Sequence, residues 1–396
     1  MISTASFGLA LVSLWGAGIV SAAPSLTLST FGPTSVSDVS ALKITTSIKN
    51  TGTETLRLLN DPNSALSTWE TDSFHVTRAE SSLVASPALN FTGLRQVKYS
   101  PQAAAKLNKP ELFTVIAPGA TVNITHSLAS TYDFSGKGGG AGKYKLKSSQ
   151  RARTFLSIGA DGTITPLEAT EDKIAEVAVS GRLSGPKLQP SAKGAAQASG
   201  SFQQASGISK RALVRGCNND QINQILTAAD RANNMAHGAT ASYAMVPGLR
   251  GVGKSGSEVG IRTDTTWSGG TTIKFASTLP TFFMTALALM RYIIFRSSHC
   301  VILKPQQGIY AYVVIPGHFK EVYLCGAFWR APMEGTDSKA GTIIHEASHF
   351  PEYAGTSDHA YGQGACRDLA RNDPNRAAMN ADSHEYFAEN QPWLGQ

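Results

Sequence analysis

The chain has 396 residues, 42% apolar and 16% charged, enough to build two or three packed domains and too apolar for global disorder. Its net charge of +7 falls wholly in residues 1–211, which hold 20 Lys+Arg against 13 Asp+Glu, while residues 212–396 hold 15 of each. The excess forms no dense basic tract with interleaved aromatics, which argues against a nucleic-acid partner.

Residues 1–23, "MISTASFGLALVSLWGAGIVSAA", read as a secretory signal: an apolar core from about Phe7 to Val20, then Ser21-Ala22-Ala23 as an A-x-A-like cleavage site. The core is too short for a comfortable membrane span, so a secreted, extracellular product with no membrane partner is expected.

Residues 24–183 alternate short β-rich runs with turn clusters. "ALKITTSIKNTGTETLRLL" carries two alternating strands around Asn50-Thr51-Gly52, a hairpin signal. "ELFTVIAPGATVNITHSL" and "KYKLKSSQRARTFLSI" have the same character. The spacing predicts a β-sandwich-like domain. Asn90-Phe91-Thr92 and Asn123-Ile124-Thr125 are glycosylation sequons, in keeping with a secreted surface.

Residues 184–211 have the Gly, Ser, Ala and Gln content of a flexible linker and end in Lys210-Arg211. A dibasic pair alone is two surface charges. After a signal, a domain and a linker it reads as the cut made by a processing protease, releasing residues 212–396 from a pro-domain. Until its removal, that pro-domain would assist folding or cover the cleft.

From Ala212 helical periodicity takes over, with Ile222, Ile225, Leu226 and Ala229 on one face. A β-like stretch, "GIYAYVVIPGHFKEVYLC", interrupts it. The class is α+β, with a mainly helical C-terminal domain. Cys217, Cys300, Cys325 and Cys366 all lie here without a CxxC spacing, which favours disulfides over a cysteine zinc site.

The chemistry concentrates in "HEASHFPEYAGTSDHAYG", residues 345–362. His345 and His349 stand one helical turn apart and can reach one zinc ion, with Glu346 beside them. A zinc enzyme needs a third protein ligand, and Glu352, Asp358 and His359 are all within ten residues of His349. Pro351 and Gly355 stop the helix and turn the chain back. Further on, Asp382 and Glu385 are three apart on one face of a helix, either a solvated acidic face or a cation pocket.

HExxH followed by Gly355-Thr356-Ser357-Asp358-His359-Ala360-Tyr361-Gly362 resembles the signature of the aspzincin metallopeptidases, the deuterolysin family. "VYLCGAFWRAPMEGTDSKAGTIIHEASHF" and "MNADSHEYFAENQP" are similar to the peptidyl-Lys branch of that family. The resemblance covers roughly residues 308–396 and implies a zincin-like fold with one zinc held by His345, His349 and Asp358. It implies Glu346 as general base, Tyr361 as the oxyanion-stabilising hydroxyl, and Asp382 with Glu385 as the pocket for a substrate lysine at P1′. The expectation is a monomeric endopeptidase, made as a zymogen, that cuts proteins and peptides before lysine. Alternatives are a deuterolysin-type protease without lysine preference and an inert secreted binding protein. Residues 212–396 hold 5 Lys against 10 Arg, whereas residues 24–211 hold 13 Lys, a balance that spares the released domain from such an enzyme.

Residues 268–305 depart from the family pattern, with an apolar run from Phe282 to Phe295 broken by Arg291. Cys300 lacks a close neighbour and Cys366 is additional. Of the three possible pairings, Cys217–Cys300 with Cys325–Cys366 and Cys300–Cys325 with Cys217–Cys366 are both open.

Overall fold

The computed structural model describes residues 24–79, 88–94, 96–183, 213–215, 217–245, 266–267, 271–272, 294–296, 308–315 and 319–389. The expected leader at 1–23, the expected linker with Lys210-Arg211, Cys300 and most of the Phe282–Phe295 run lie outside the described residues.

The N-terminal half is β-rich. Its strands are β1 (Leu26–Phe31), β2 (Ser35–Asp38), β3 (Lys43–Asn50), β4 (Leu56–Leu59), β5 (Phe74–Arg78), β6 (Gln96–Tyr99), β7 (Phe113–Ile116), β8 (Thr121–Ser127), β9 (Gly142–Ser148), β10 (Thr154–Ile158), β11 (Ile164–Glu168), β12 (Thr170–Lys173) and β13 (Ala175–Arg182). Twelve of these form three four-stranded sheets, ordered β12-β1-β3-β8, β11-β10-β4-β7 and β2-β13-β9-β5. Alternation decides which face is buried: along β3 the inward positions Ile44, Thr46, Ile48 and Asn50 alternate with more exposed residues. One core gathers Leu26, Leu28, Ile48, Leu56, Leu58, Ile116 and Phe155 from the first two sheets. A second gathers Ile44 with Phe74, Val76, Tyr144, Leu146 and Val177. Asn90 and Asn123 of the two sequons are exposed.

The expected hairpin around Asn50-Thr51-Gly52 does not form. β3 pairs with β1 and β8, while β4 pairs with β7 and β10. Asn50 Nδ2 donates to the carbonyls of Glu54 and Ile116, at 2.7 and 2.9 Å, and the Thr51 and Gly52 amides donate to Ser25 O. These bonds lead the chain out of one sheet and into another, so that both strands face the same core.

The C-terminal half is α+β. Strands β14 (Leu213–Arg215), β17 (Ile294–Arg296), β18 (Ile309–Val313) and β19 (Glu321–Leu324) build a sheet, and β15 (Thr266–Trp267) with β16 (Thr271–Thr272) makes a separate pair. The helices after α1 (Pro101–Leu107) and α2 (Gln150–Arg153) are α3 (Asn219–Met245), α4 (Gly326–Arg330), α5 (Lys339–Ser348), α6 (Gln363–Asn372), α7 (Pro374–Ala378) and α8 (Ala381–Glu389). Small residues of α3, Ala228, Ala232, Ala236 and Ala239, let it lie close to Ile343, Ile344 and Ala347 of α5 in one core. Among the described residues no helix is long and apolar enough to cross a membrane.

The two halves share a sheet. Its order is β14-β17-β19-β18-β6, so β6 from the N-terminal half is the edge strand beside β18. The pairing is antiparallel, with Tyr312 opposite Val97 and Ala311 opposite Lys98. A shared core joins Leu59, Trp69, Val97 and Tyr99 to Ile309, Tyr312, Tyr323 and Cys325.

Cys325 is disulfide-bonded and Cys366 is a free, buried thiol. Both expected pairings enlist Cys366, so neither holds. Cys366 instead packs beneath the acidic helix α8, where Asn380 Nδ2 approaches its sulfur at 3.3 Å.

Candidate metal centre and acidic pocket

Helix α5 is buried along its whole length, and its start is fixed by Ser338, whose Oγ accepts from the Gly341 amide at 2.9 Å. His345 lies in its last turn and His349 caps its end, with ring centroids 4.9 Å apart. Beyond it Gly355 takes a positive φ of 63°, open to glycine without strain, and the chain reverses. Thr356 then packs back on the helix: its amide donates to Ser348 O at 3.0 Å, and its carbonyl takes a hydrogen bond from His349 Nδ1 at 3.1 Å. That bond fixes the tautomer and leaves Nε2 facing inward as an electron-pair donor.

Two residues later the chain delivers Asp358. Its Oδ1 stands 3.0 Å from His345 Nε2 and 3.3 Å from His349 Nε2. None of these three buried atoms makes a hydrogen bond, and Glu346 Oε1 and Oε2 are equally unpartnered. Buried polar atoms that converge without partners are costly. Two imidazole nitrogens and a carboxylate oxygen are a zinc donor set, so the residues fit the ion. Glu352 and His359 are exposed, and His359 Nδ1 lies 3.4 Å from Arg376 Nη2.

Glu346 is fully buried, and burial pushes its carboxyl up to about 8. Tyr361 directs its hydroxyl to Val97 O at 2.7 Å, while Asn63 Nδ2 and Arg151 Nη2 stand 3.2 and 3.4 Å from the same oxygen. The turn carrying Asp358 and Tyr361 is held by Asn380, whose Oδ1 accepts from the His359 and Ala360 amides at 2.8 and 3.0 Å.

Asp382 and Glu385 are buried on α8, not on a solvated face. Asp382 Oδ1 lies 2.8 Å from His345 Nδ1, and Glu385 Oε2 lies 3.2 Å from it. A carboxylate behind a ligating imidazole raises its basicity and fixes its orientation. Asp382 Oδ2 also accepts from the Gly362 amide at 2.7 Å. The cation between the two carboxylates is Lys98, which pairs with Glu385 and stands 3.5 Å from Asp382 and 3.9 Å from Asp337. Burial works against the Lys98 charge, but Asp382, Glu385 and Asp337 together outweigh it and hold the ammonium well above the usual lysine range. His345, Asp382 and Glu385 could themselves gather around a metal ion, but Lys98 already provides the positive charge there.

The structure therefore brings all seven predicted residues into one cluster, six of them buried and Tyr361 half-buried. Sequence reasoning missed Asn380, Thr356, Asp337 and Lys98. Asn380 stood inside a quoted motif, and its amide was the signal for a turn-holding side chain. Lys98 had no signal, because it comes from more than two hundred residues away.

A family model described as Aspzincin_M35, lysine-specific metallo-endopeptidase, matches residues 290–389. A peptidyl-Lys metalloendopeptidase of Grifola frondosa is 38% identical over 386 residues, 97% of each chain. One from Armillaria mellea is 35% identical over 374 residues, 94% of each chain. A solved zinc peptidase from Grifola frondosa aligns with 44% of this chain and 98% of its own, at 35% identity and a TM-score of 0.36. With full-length relatives at this identity, the chain belongs to the aspzincin family of zinc metalloendopeptidases.

Proposed function

We propose that this chain is a secreted endopeptidase, made as a zymogen, that hydrolyses the peptide bond on the N-terminal side of lysine. The observation that carries the lysine preference is the buried pair of carboxylates, Asp382 and Glu385, which already hold an ammonium group between them. The peptidyl-Lys names of the two full-length relatives support the same reading. A protease without lysine preference could use Asp382 to orient His345, but it would have no evident use for Glu385 as a second buried carboxylate facing the same ammonium. An inert binding protein would not need Glu346 intact.

In this reading His345, His349 and Asp358 hold one zinc per chain. When bound, zinc supplies a Lewis acid that makes water nucleophilic at neutral pH. Glu346 takes a proton from the attacking water and delivers it to the leaving amine. Its position directly after His345, buried beside the three ligand atoms, suits both duties. The Tyr361 hydroxyl donates to the carbonyl oxygen as negative charge develops there. Asp382 and Glu385 bind the substrate ammonium, and Asp382 also steadies His345 through Nδ1.

The leader at 1–23, a pro-domain at 24–183, a linker at 184–211 and a catalytic domain at 212–396 complete the organisation, with a monomeric mature enzyme released at Lys210-Arg211. The test is a mass-spectrometric cleavage map of an unrelated protein. Wild type should cut before Lys and spare Arg, whose planar fork is bulkier than an ammonium. Asp382→Asn and Glu385→Gln should lower kcat/KM on Lys peptides by roughly 2–5 kcal/mol equivalent, the cost of unbalancing a desolvated charge pair. Cuts scattered before apolar residues in the wild type would defeat the lysine reading.

A further inference from the structure

We propose that residues Gln96–Tyr99 are a built-in substrate mimic, seated in the cleft as a substrate strand would be, with Lys98 filling the lysine pocket. The proposal rests on the reading of Asp382 and Glu385 as that pocket and adds what keeps the unprocessed chain latent.

Three independent contacts fix the segment in a substrate register. The first is the backbone: β6 lies antiparallel on the edge of the catalytic sheet, with Gln96 opposite Val313 and Val97 opposite Tyr312. An exposed strand edge is the usual template for an extended peptide. Because β6 is the last strand of that sheet, its departure leaves β18 as an intact edge. The second is the ammonium of Lys98, 2% exposed, ringed by Asp382, Glu385 and Asp337 and standing 5.2 Å from the face of Tyr310. The third is the carbonyl just before Lys98. Val97 O accepts from the Tyr361 hydroxyl at 2.7 Å, and the Val97 amide donates to Asp358 Oδ2 at 3.0 Å. The Val97–Lys98 bond thus lies where a bond before a substrate lysine would lie.

An ordinary internal ion pair accounts for the second contact alone. It gives no reason for the preceding carbonyl to rest on the proposed oxyanion donor, nor for an N-terminal strand to end the catalytic sheet. Neighbouring contacts reinforce the seat. Gln96 Nε2 donates to Thr356 O at 3.2 Å, and Asn63 and Arg151, also from the N-terminal half, crowd the Tyr361 hydroxyl. Asp337 and Tyr310 thereby become further walls of the lysine pocket.

The test uses the full chain, zinc-loaded and made unable to cut by Glu346→Gln. The probe is a fluorescent Gln-Val-Lys-Tyr peptide with blocked ends, and binding is read by anisotropy. The Glu346→Gln chain should bind it weakly. Adding Lys98→Ala strands two buried carboxylates without a cation, loosens the mimic, and should tighten probe binding at least tenfold. Lys106→Ala, an exposed lysine outside the cleft, should change nothing. If Lys98→Ala does not fold, Lys98→Met, similar in length and uncharged, carries the same comparison. Equal probe affinity with and without Lys98 overturns the proposal. If wild type also shows no lysine preference in the cleavage map, the pocket reading fails; if that preference stands, only the mimic fails.

Discussion

At the scale of single residues, the site is built from atoms that cannot satisfy one another. Asp358 Oδ1 stands 3.0 Å from His345 Nε2 and 3.3 Å from His349 Nε2, and the three share no hydrogen bond. His349 has its other nitrogen hydrogen-bonded to Thr356 O, and His345 Nδ1 faces Asp382 Oδ1 at 2.8 Å. Such a set is held ready for a cation, and its members contribute unequally to other tasks. Asp358→Ala should therefore lower zinc content well below one per chain, measured by metal analysis after dialysis. His359→Ala should leave zinc unchanged, since that ring is exposed beside Arg376. Glu346→Gln should keep the metal and lose turnover by several orders of magnitude, because the proton carrier has gone. Metal loss from His359→Ala with retention in Asp358→Ala would reverse the ligand assignment.

At the scale of elements, the site depends on how closely α5 and α8 approach. Gly341 sits in the first turn of α5, where a Cβ would collide with Glu389 Oε1 and lie 2.9 Å from Glu385 Oε1. Glu389 cannot yield freely, since Oε1 accepts from the Ser338 amide and hydroxyl at 2.9 and 2.8 Å, and Oε2 from the Asp337 amide at 3.1 Å. A carboxylate at a helix N-terminus is also favoured by the helix dipole. Burial and the neighbouring Glu385 push Glu389 up to about 9. Gly341→Ala should cost roughly 1–3 kcal/mol, the usual range for overpacking, and lower Tm while zinc content stays near one. An unchanged Tm would show that the two helices can separate without loss. Elements of this kind were only partly legible in the sequence. The 345–362 stretch was, because His345 and His349 stand one helical turn apart and Asp358 follows nine residues later. Strand positions in 24–183 were also legible from alternation. Strand pairing was not: "ALKITTSIKNTGTETLRLL" supplies β3 to one sheet and β4 to another, and the runs around β7–β8 and β9–β10 divide in the same way. Alternation says which face is buried, but the partner is chosen by contacts distant in sequence.

At the scale of the whole molecule, the two halves are bound by more than the stretch of chain between them. β6 completes the catalytic sheet, and Leu59, Trp69, Val97 and Tyr99 share a core with Ile309, Tyr312, Tyr323 and Cys325. Each half thus covers apolar surface that the other would expose alone, and the Lys98 ammonium would leave two buried carboxylates behind if it withdrew. Cutting a covalent connection removes none of these contacts. It only allows the halves to separate at the rate their interface permits. Limited proteolysis within residues 184–211 should therefore give two fragments that co-elute on size exclusion at neutral pH and separate in urea. A sharp rise in activity on Lys peptides should accompany the separation or the destruction of the N-terminal fragment, not the cut. Elution of the C-terminal fragment alone straight after the cut would show that the shared sheet and core do not hold the halves together.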